Sequence, residues 1–305
     1  GRPADALVFH RQSLELHEKN RSAEGIAGDQ ANMASAYVDL GQYGSTLDLF
    51  AKALEYFRGA GNRLNEAIVL GQMADAYRAF GQPTRSLEYS RQALAISREI
   101  GQRQLEANQL VQIGNAHNDL GQSAEAQKTF RQALALNRKI GSRPGEANAL
   151  MRLANAQSAA GQYASAIENY QLSLRILRAT NQRWHETIAL SGLARAQLER
   201  KQLAEATRNG ELALIAAQEV GSPDLQWQAW ETLADVAEAR GNVEQAIFLR
   251  KQAVNAIQSL RAGAVSLDKE LQRTMLGNKE HVYRELADGM IARGRLAEAE
   301  QVMAM

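Results

Sequence analysis

Apolar residues recur at spacings of three and four along the chain, in segments of about 16–18 residues, and this spacing is typical of amphipathic helices. No stretch shows the sustained alternation expected of a strand. Turn residues separate the segments in two series with a step of forty residues, namely Gly41, Gly81, Gly121, Gly161, Lys201 and Gly241, and Gly61, Gly101, Gly141, Asn181 and Gly221. Because glycine or asparagine suits the left-handed residue that ends a helix, the pattern predicts paired helices, with a strained turn at Lys201.

The same forty-residue register recurs at the packing positions. Small residues stand where two helices must cross closely, such as Ala74, Gly114 and Ala154 in first helices and Ala93 and Ala133 in second helices. A fixed period of this length is typical of a solenoid, in which each unit buries its apolar face against its neighbours.

Each helix pair resembles the tetratricopeptide repeat (TPR), and the resemblance covers nearly the whole chain. It implies an all-α, right-handed superhelical solenoid of antiparallel helix pairs. The usual repeat has 34 residues, and its second helix is often closed by a proline. Here Arg58, Arg98, Arg138 and Arg178 take that place, which favours a longer second helix. Gly210 and Arg250 depart from the pattern, because they stand where Phe50, Phe130 and Tyr170 stand in other copies.

These patterns predict a single solenoid over residues 1–305. Residues 258–279 are expected to form a longer connecting helix, where the periodicity breaks, and residues 280–305 a final helix pair. The predicted units before that break are a partial repeat helix over 1–21 and six repeats over 22–61, 62–101, 102–141, 142–181, 182–221 and 222–257.

Charged residues recur at the helix ends. The arginines above fall in last turns, and a G-x-R-x-x-E element, such as Gly101, Arg103 and Glu106, opens the following helix. Cations near a helix C-terminus and carboxylates near an N-terminus both stabilise helices. We interpret both groups as structural; the alternative is a basic ridge for an acidic partner.

The composition argues against several classes of function. The chain has no cysteine and a net charge of +1, so thiolate chemistry is excluded and bulk attraction to nucleic acid is not expected. No apolar run approaches the length of a membrane span. The five histidines are scattered and form no metal motif, and no phosphate-binding loop occurs. We therefore predict a cytoplasmic, non-catalytic chain without cofactor or metal.

Residues 266–301 resemble the segment that joins the repeats to a CHAT domain in bacterial TPR–CHAT proteins. CHAT domains are caspase-like and use a His/Cys pair, so the resemblance implies that a cysteine peptidase could follow in a longer protein. The start Gly1-Arg2-Pro3 also suggests a part of a longer chain.

The inner face of the first helices is the candidate binding surface, because solenoids usually bind partners on their concave side. Asparagine is a poor residue for a helix interior, yet it recurs on this face, and a carboxamide can both donate and accept hydrogen bonds to an extended peptide. Arg152 could bind a carboxylate in bidentate fashion. The candidate residues are Asn32, Gln72, Asp75, Asn108, Gln112, Asn115, Asn118, Asn148, Arg152, Asn155, Arg195 and Asp235.

The expected partner is a protein or peptide bound on this face. Asn108, Gln112, Asn115 and Asn118 have no evident packing or capping role in the sequence. The alternatives are a polar wall inherited by repeat duplication, and a scaffold or self-association module that uses its edges or convex side.

Overall fold

The structure, a computed structural model, describes residues 3–40, 46–263 and 279–304. Within these ranges it contains fifteen α-helices and no strand, in agreement with the all-helical prediction. Most helices have 17 residues, as the spacing of the turn residues predicts. The helices are α1 (Pro3–Lys19), α2 (Ala23–Asp39), α3 (Thr46–Gly59), α4 (Arg63–Ala79), α5 (Pro83–Glu99), α6 (Arg103–Asp119), α7 (Ser123–Lys139), α8 (Arg143–Ala159), α9 (Tyr163–Ala179), α10 (Arg183–Glu199), α11 (Leu203–Val220), α12 (Pro223–Ala239), α13 (Val243–Gly263), α14 (Glu280–Ile291) and α15 (Leu296–Met303).

The chain divides into two compact units, and the boundary lies inside α8. Unit 1 extends to Arg152 and unit 2 begins at Leu153. Within each unit, helices that follow one another in the chain pack together. In unit 1, α2 also contacts α4 and α4 contacts α6; in unit 2, α10 contacts α12. The first helices of successive repeats therefore lie side by side within a unit.

Left-handed residues end the helices where the sequence predicts them. The turn glycines from Gly61 to Gly241 have φ between 67° and 80°. After α6, Gly121 N–H donates to the Asn118 carbonyl at 2.9 Å and Gln122 N–H donates to the His117 carbonyl at 2.9 Å. This pair of bonds is the Schellman arrangement, which satisfies carbonyls at the end of a helix. Gly41 lies outside the described residues.

Lys201, the predicted exception, is held in the left-handed region with φ 60°. Arg21 has φ 54° and extends the second series by one step towards the N-terminus, which the sequence analysis overlooked. A side chain in this conformation brings Cβ close to a carbonyl oxygen, so both turns are strained.

Replacing Lys201 with glycine should raise the free energy of unfolding by about 1 kcal/mol, because glycine adopts this conformation without steric cost. Gly161→Ala is the matched opposite, since φ is 71° there and an added Cβ would meet nothing within 4 Å. It should lower the free energy by a similar amount. Urea denaturation followed by circular dichroism measures both, and a stabilising Gly161→Ala would contradict the assignment.

Small residues at the helix crossings are buried, as predicted. Gly114 shows why: a Cβ there would lie 2.5 Å from the ring of Phe130, which is 1% exposed. Gly210, one of the two departures from the repeat, leaves room for Leu233. A Cβ added at Gly210 would lie 2.8 Å from Cδ2 of Leu233. The core in each unit therefore depends on large side chains seated against residues with little or no side chain.

The end of the chain differs from the regular repeats. Helix α13 runs to Gly263, so residues 258–263 continue the second helix of the preceding pair, while the rest of the predicted connecting helix, up to residue 278, lies outside the described part. Helices α14 and α15 form a final pair, and α14 packs on α13 through buried Val282 and Leu286.

The charged helix ends form four equivalent clusters. A last-turn arginine donates from Nε to one carboxylate oxygen of a buried glutamate at 2.8 Å, and the arginine three residues before that glutamate binds its other oxygen within 2.9 Å. The clusters are Arg58–Glu66–Arg63, Arg98–Glu106–Arg103, Arg138–Glu146–Arg143 and Arg178–Glu186–Arg183. They join the end of each second helix to the start of the next repeat, which confirms the structural interpretation.

These clusters predict a loss of stability in acid. Burial raises the pKa of Glu106 and of Glu186, but the hydrogen bonds from their two arginines outweigh it and hold each pKa below its ordinary value. The stabilisation is therefore complete above the unfolded pKa of about 4.3 and is lost as pH falls below it. Since the arginines are half-exposed, we expect about 1 kcal/mol per cluster.

Glu106→Gln/Glu186→Gln should be less stable than the wild type at pH 6, and the difference should shrink as pH falls towards 3. Urea denaturation at each pH measures this. A difference that does not change with pH would contradict the ion-pair account.

None of the fifteen described helices combines the length and the apolar character that crossing a lipid bilayer requires.

Candidate functional site

An open cavity of about 250 Å³ lies on the exposed face of the first helices in unit 1. We call it the amide pocket, because five carboxamides and one carboxyl group line it. Three apolar side chains and one glycine complete the wall. The polar residues are Gln72, Asp75, Asn108, Gln109, Gln112 and Asn148, and the others are Ile68, Gly71, Leu105 and Val111. The pocket thus brings together five of the twelve predicted site residues.

Asp75 is held by a chain of hydrogen bonds that crosses from α4 to α6. Gln112 Nε2 donates to Asp75 Oδ2 at 2.8 Å, and Asn115 Nδ2 donates to Gln112 Oε1 at 3.3 Å. Gln112 and Asn115 therefore have a structural role, contrary to the sequence analysis. Asn108, by contrast, is exposed, and its Oδ1 accepts a hydrogen bond from Gln104 Nε2 of the same helix at 3.2 Å.

The carboxyl group of Asp75 has a pKa above the ordinary value for an aspartate. Burial raises its pKa to about 6, while Arg78, the Gln112 hydrogen bond and Arg152 oppose that rise and the charge of Asp39 adds to it. Burial also lowers the pKa of Arg152, followed by repulsion from Arg78, with Asp75 and Asp119 acting in the other direction.

Three buried polar atoms in this region have no hydrogen-bond partner among the described residues. They are Gln72 Oε1 and Gln109 Oε1, both of residues that line the pocket, and Arg152 Nε. A buried polar group without a partner costs about 1–3 kcal/mol, so native structures usually satisfy it with protein, water or a ligand. The two unsatisfied carboxamide oxygens mark the pocket as a place where donors from a ligand would be stabilised.

Asn32 and Asn118, also predicted for this face, do not line the amide pocket. Asn32 is exposed on α2. Asn118 is half-buried in the last turn of α6, where its carbonyl accepts the hydrogen bond from Gly121.

The three candidate residues in unit 2 all make hydrogen bonds within the fold. Asn155 Oδ1 accepts a hydrogen bond from the Tyr170 hydroxyl at 2.5 Å. Arg195 donates to Glu231 Oε2 at 2.8 Å, and Asp235 accepts from Arg250 at 3.0 Å. These contacts give all three a role in holding the helices of unit 2 together.

Besides the three apolar side chains, the pocket contains two residues that the sequence analysis did not select, Gln109 and Gly71. Gln109 is 4% exposed, and its carboxamide occupies the space that a side chain at Gly71 would fill. The signal was a break in the repeat: four of the five equivalent positions carry the apolar Val69, Ala149, Ala189 and Ala229, and the first repeat carries Asp29, which is paired with His10 and His17. A buried amide at a position that is mostly apolar indicates a feature that duplication alone does not supply.

Three histidines of the described ranges contact neighbouring side chains within the fold. Within these ranges, no group of three or more His, Asp or Glu side chains is arranged to hold a metal ion. His10 and His17 both face Asp29, with Nδ1–Oδ distances of 3.5 and 2.7 Å, and connect α1 to α2. His117 is buried and bonds through Nδ1 to Gln122 Oε1 at 2.6 Å.

Comparison with known proteins agrees with this fold. Residues 29–99 and 105–179 match the family model of the tetratricopeptide repeat. The matched residues make up just under half of the chain, and within them the chain is built of tetratricopeptide repeats. A sequence comparison with curated proteins gives no match.

Several solved structures share this fold over most of the chain. The apo form of RapI has a TM-score of 0.62 and 13% identity, with 98% of this chain and 95% of that chain covered. A STAND signal-transduction ATPase from Pyrococcus horikoshii with a TPR sensor has a TM-score of 0.63 and 19% identity, with 93% and 44% covered. A Rap protein complexed with Competence and Sporulation Factor has a TM-score of 0.56 and 15% identity, with 93% and 86% covered. At these identities the likeness shows the fold alone.

Proposed function

We propose that this chain is a non-catalytic module that binds an extended protein or peptide segment on the first helices of unit 1, centred on the amide pocket. One observation carries the proposal: the pocket exposes a cluster of carboxamides to solvent while the Gln72 and Gln109 oxygens remain buried and unpaired. A peptide offers N–H donors and carbonyl acceptors along its length, which matches what carboxamides bind.

Affinity in such a site comes from satisfying these groups at little cost in protein entropy. The pocket lies on helices rather than on loops, and Gln112, Asn115 and Asp75 are already fixed to one another. The first helices are thus organised before a ligand arrives, which reduces the free energy that ordering would consume. The Rap structure with a bound factor and the ATPase with a TPR sensor are consistent with binding by this fold.

We further propose that the chain is the sensor or regulatory part of a larger bacterial, cytoplasmic protein of the TPR–CHAT type. The support is the resemblance of residues 266–301, of which 279–301 fall in the described part and form α14 and most of α15. The sequence of the complete gene tests this idea directly. A downstream caspase-like domain with a His/Cys pair would support it, and a different downstream domain or none would contradict it.

Selection from a phage-displayed library of random dodecapeptides tests the binding proposal. Enriched peptides, synthesised with a fluorophore, would be titrated with the full chain and followed by anisotropy. Asn108→Ala/Asn148→Ala should weaken binding about tenfold or more, since each lost hydrogen bond contributes about 1 kcal/mol. Neither substitution removes a core contact, so the melting temperature should not change.

Gln132→Ala is the matched control, because Gln132 is an exposed amide on the second helix α7. It should leave the affinity unchanged. Failure to enrich any peptide, or equal loss in the control and the double variant, would refute the proposal.

A scaffold or self-association role is the second candidate. Its support is a set of exposed apolar side chains on the second helices of unit 2, namely Leu212 and Ile215 on α11 and Phe248 on α13. Light scattering across a concentration series tests it: a growing mass that Ile215→Ser/Phe248→Ser abolishes would favour this role, and a constant monomer mass would exclude self-association.

A further inference from the structure

The amide pocket contains a glycine, Gly71, at the point where the Gln109 side chain packs against α4. An ideal Cβ at Gly71 would lie 2.5 Å from Gln109 Nε2 and 3.3 Å from its Oε1. Glycine inside a helix lowers stability by roughly 0.5–1 kcal/mol relative to alanine, so Gly71 destabilises α4 locally. What it permits is a buried carboxamide from α6 lying against the backbone of α4.

This arrangement occurs once in the repeat series. The positions equivalent to Gly71 in the following repeats carry Val111, Met151, Ser191 and Glu231, all larger than glycine. The positions equivalent to Gln109 carry Asp29, Val69, Ala149, Ala189 and Ala229, so no other repeat has a carboxamide there. A polar wall inherited through duplication would recur with the period, and this glycine–glutamine pair does not.

The acceptors in the pocket that have no hydrogen-bond partner favour a neutral ligand group that supplies hydrogen-bond donors. Both unpaired atoms are carboxamide oxygens, Gln72 Oε1 and Gln109 Oε1. A carboxylate would face these oxygens and Asp75 without supplying a single donor. A backbone N–H supplies one hydrogen, whereas a primary carboxamide supplies two.

The charges around the pocket argue against a cation. Asp75 is the only ionisable residue among those that line it, and Arg78 and Arg152 already act on its carboxylate while Asp39 faces it from α2. An added ammonium or guanidinium group would approach both arginines and lose its own hydration. A neutral carboxamide avoids both penalties.

We propose that the amide pocket receives the primary carboxamide of a glutamine or asparagine side chain from the bound segment, an inference that rests on the proposed function. When the Gln72 and Gln109 side chains rotate towards the ligand, its –NH2 group donates to their Oε1 atoms, which are buried in the free chain. Its carbonyl oxygen accepts from the carboxamides at the rim, Asn108 and Asn148. The methylene groups of the ligand side chain pack on Ile68, Leu105 and Val111. The pocket thereby makes binding depend on the sequence of the peptide, whereas the rest of the surface binds the peptide backbone.

The peptides selected on the wild-type chain provide the test. We expect one position at which glutamine or asparagine is enriched, and replacement of that residue by Met or Glu in the synthetic peptide should weaken binding about tenfold or more. The Gln109→Leu variant should bind the amide peptide and its Met version with equal affinity. Gly71→Ala, which displaces the Gln109 side chain but keeps its chemistry, should reduce the same discrimination. Gln132→Leu should preserve it.

Each other outcome has a defined meaning. Peptides that bind without an amide preference, or whose preference survives both pocket variants, would overturn this inference and leave the proposed function standing. Enrichment of Lys or Arg, with an affinity that rises as pH rises through about 6 and Asp75 ionises, would overturn the inference and show that the pocket binds a cation. A selection that enriches nothing would overturn both.

Discussion

Replacing Arg250 with leucine should lower the free energy of unfolding of unit 2 by about 2–3 kcal/mol. Arg250 is 6% exposed at a position where three other repeats carry an aromatic residue, and it donates to Asp235 at 3.0 Å and to Glu238 at 2.7 Å. Its Nε lies 3.2 Å from Glu285 of α14. Removing one partner of a buried ion pair typically costs 3–5 kcal/mol. The carboxylates here are partly exposed, so the expected loss is smaller.

The loss should depend on pH. Burial raises the pKa of Asp235 to about 6, and the charge of Arg250 is the main influence that keeps it from rising further. A folded pKa above the unfolded value means that stability falls as pH rises between the two. Without Arg250 the folded pKa rises further, so the deficit relative to the wild type should grow between pH 6 and pH 8.

Tryptophan fluorescence during urea denaturation measures this effect, because all three tryptophans, Trp184, Trp227 and Trp230, belong to unit 2. Asp235→Asn in the same background should recover part of the loss. Arg208→Leu, a change at an exposed arginine of α11, should shift stability by less than about 0.5 kcal/mol. A pH-independent deficit, or no rescue by Asp235→Asn, would contradict the ion-pair explanation.

Replacing Phe130 with alanine should lower the free energy of unfolding by about 3–5 kcal/mol, the usual cost of removing a buried aromatic side chain. The Phe130 ring is 1% exposed and fills the space beside Gly114. Gly114 has no side chain that could move into the cavity, so the loss should not be offset from that side.

Circular dichroism during urea denaturation measures the Phe130 effect. Phe9→Ala is the control in the same unit, because Phe9 is 69% exposed on α1; it should change stability little. Equal losses in the free energy of unfolding for the two variants would contradict the role of Phe130 in the core.

Much of the fold follows from the sequence because the determinants are local and repeated. A glycine every forty residues ends a helix wherever it occurs, and small residues such as Ala74 and Gly114 mark the crossings. The strain at Lys201 was predictable for the same reason. The two separate charge patterns, last-turn arginines and G-x-R-x-x-E elements, could be read from the sequence, but that they meet on one glutamate required the spatial arrangement.

The candidate site was predictable only in part. Helical spacing places Asn108, Gln112 and Asn148 on the first helices, and they do line one pocket. Spacing cannot show that Gln112 is bound to Asp75 across two helices. Nor can it show that Arg195 binds Glu231, that Asp235 binds Arg250, or that Gln109 enters a gap left by Gly71. All of these contacts join residues on different helices.

The most direct test of the central claim follows side-chain amide signals in nuclear magnetic resonance spectra of the ¹⁵N-labelled chain during titration with a selected peptide. If the amide pocket is the binding site, the –NH2 signals of Gln72, Asn108, Gln109 and Asn148 should shift together and saturate at the measured affinity. The –NH2 signal of Gln132, on α7, should stay unchanged. Shifts confined to amides of the second helices, with the pocket signals unaffected, would contradict the account.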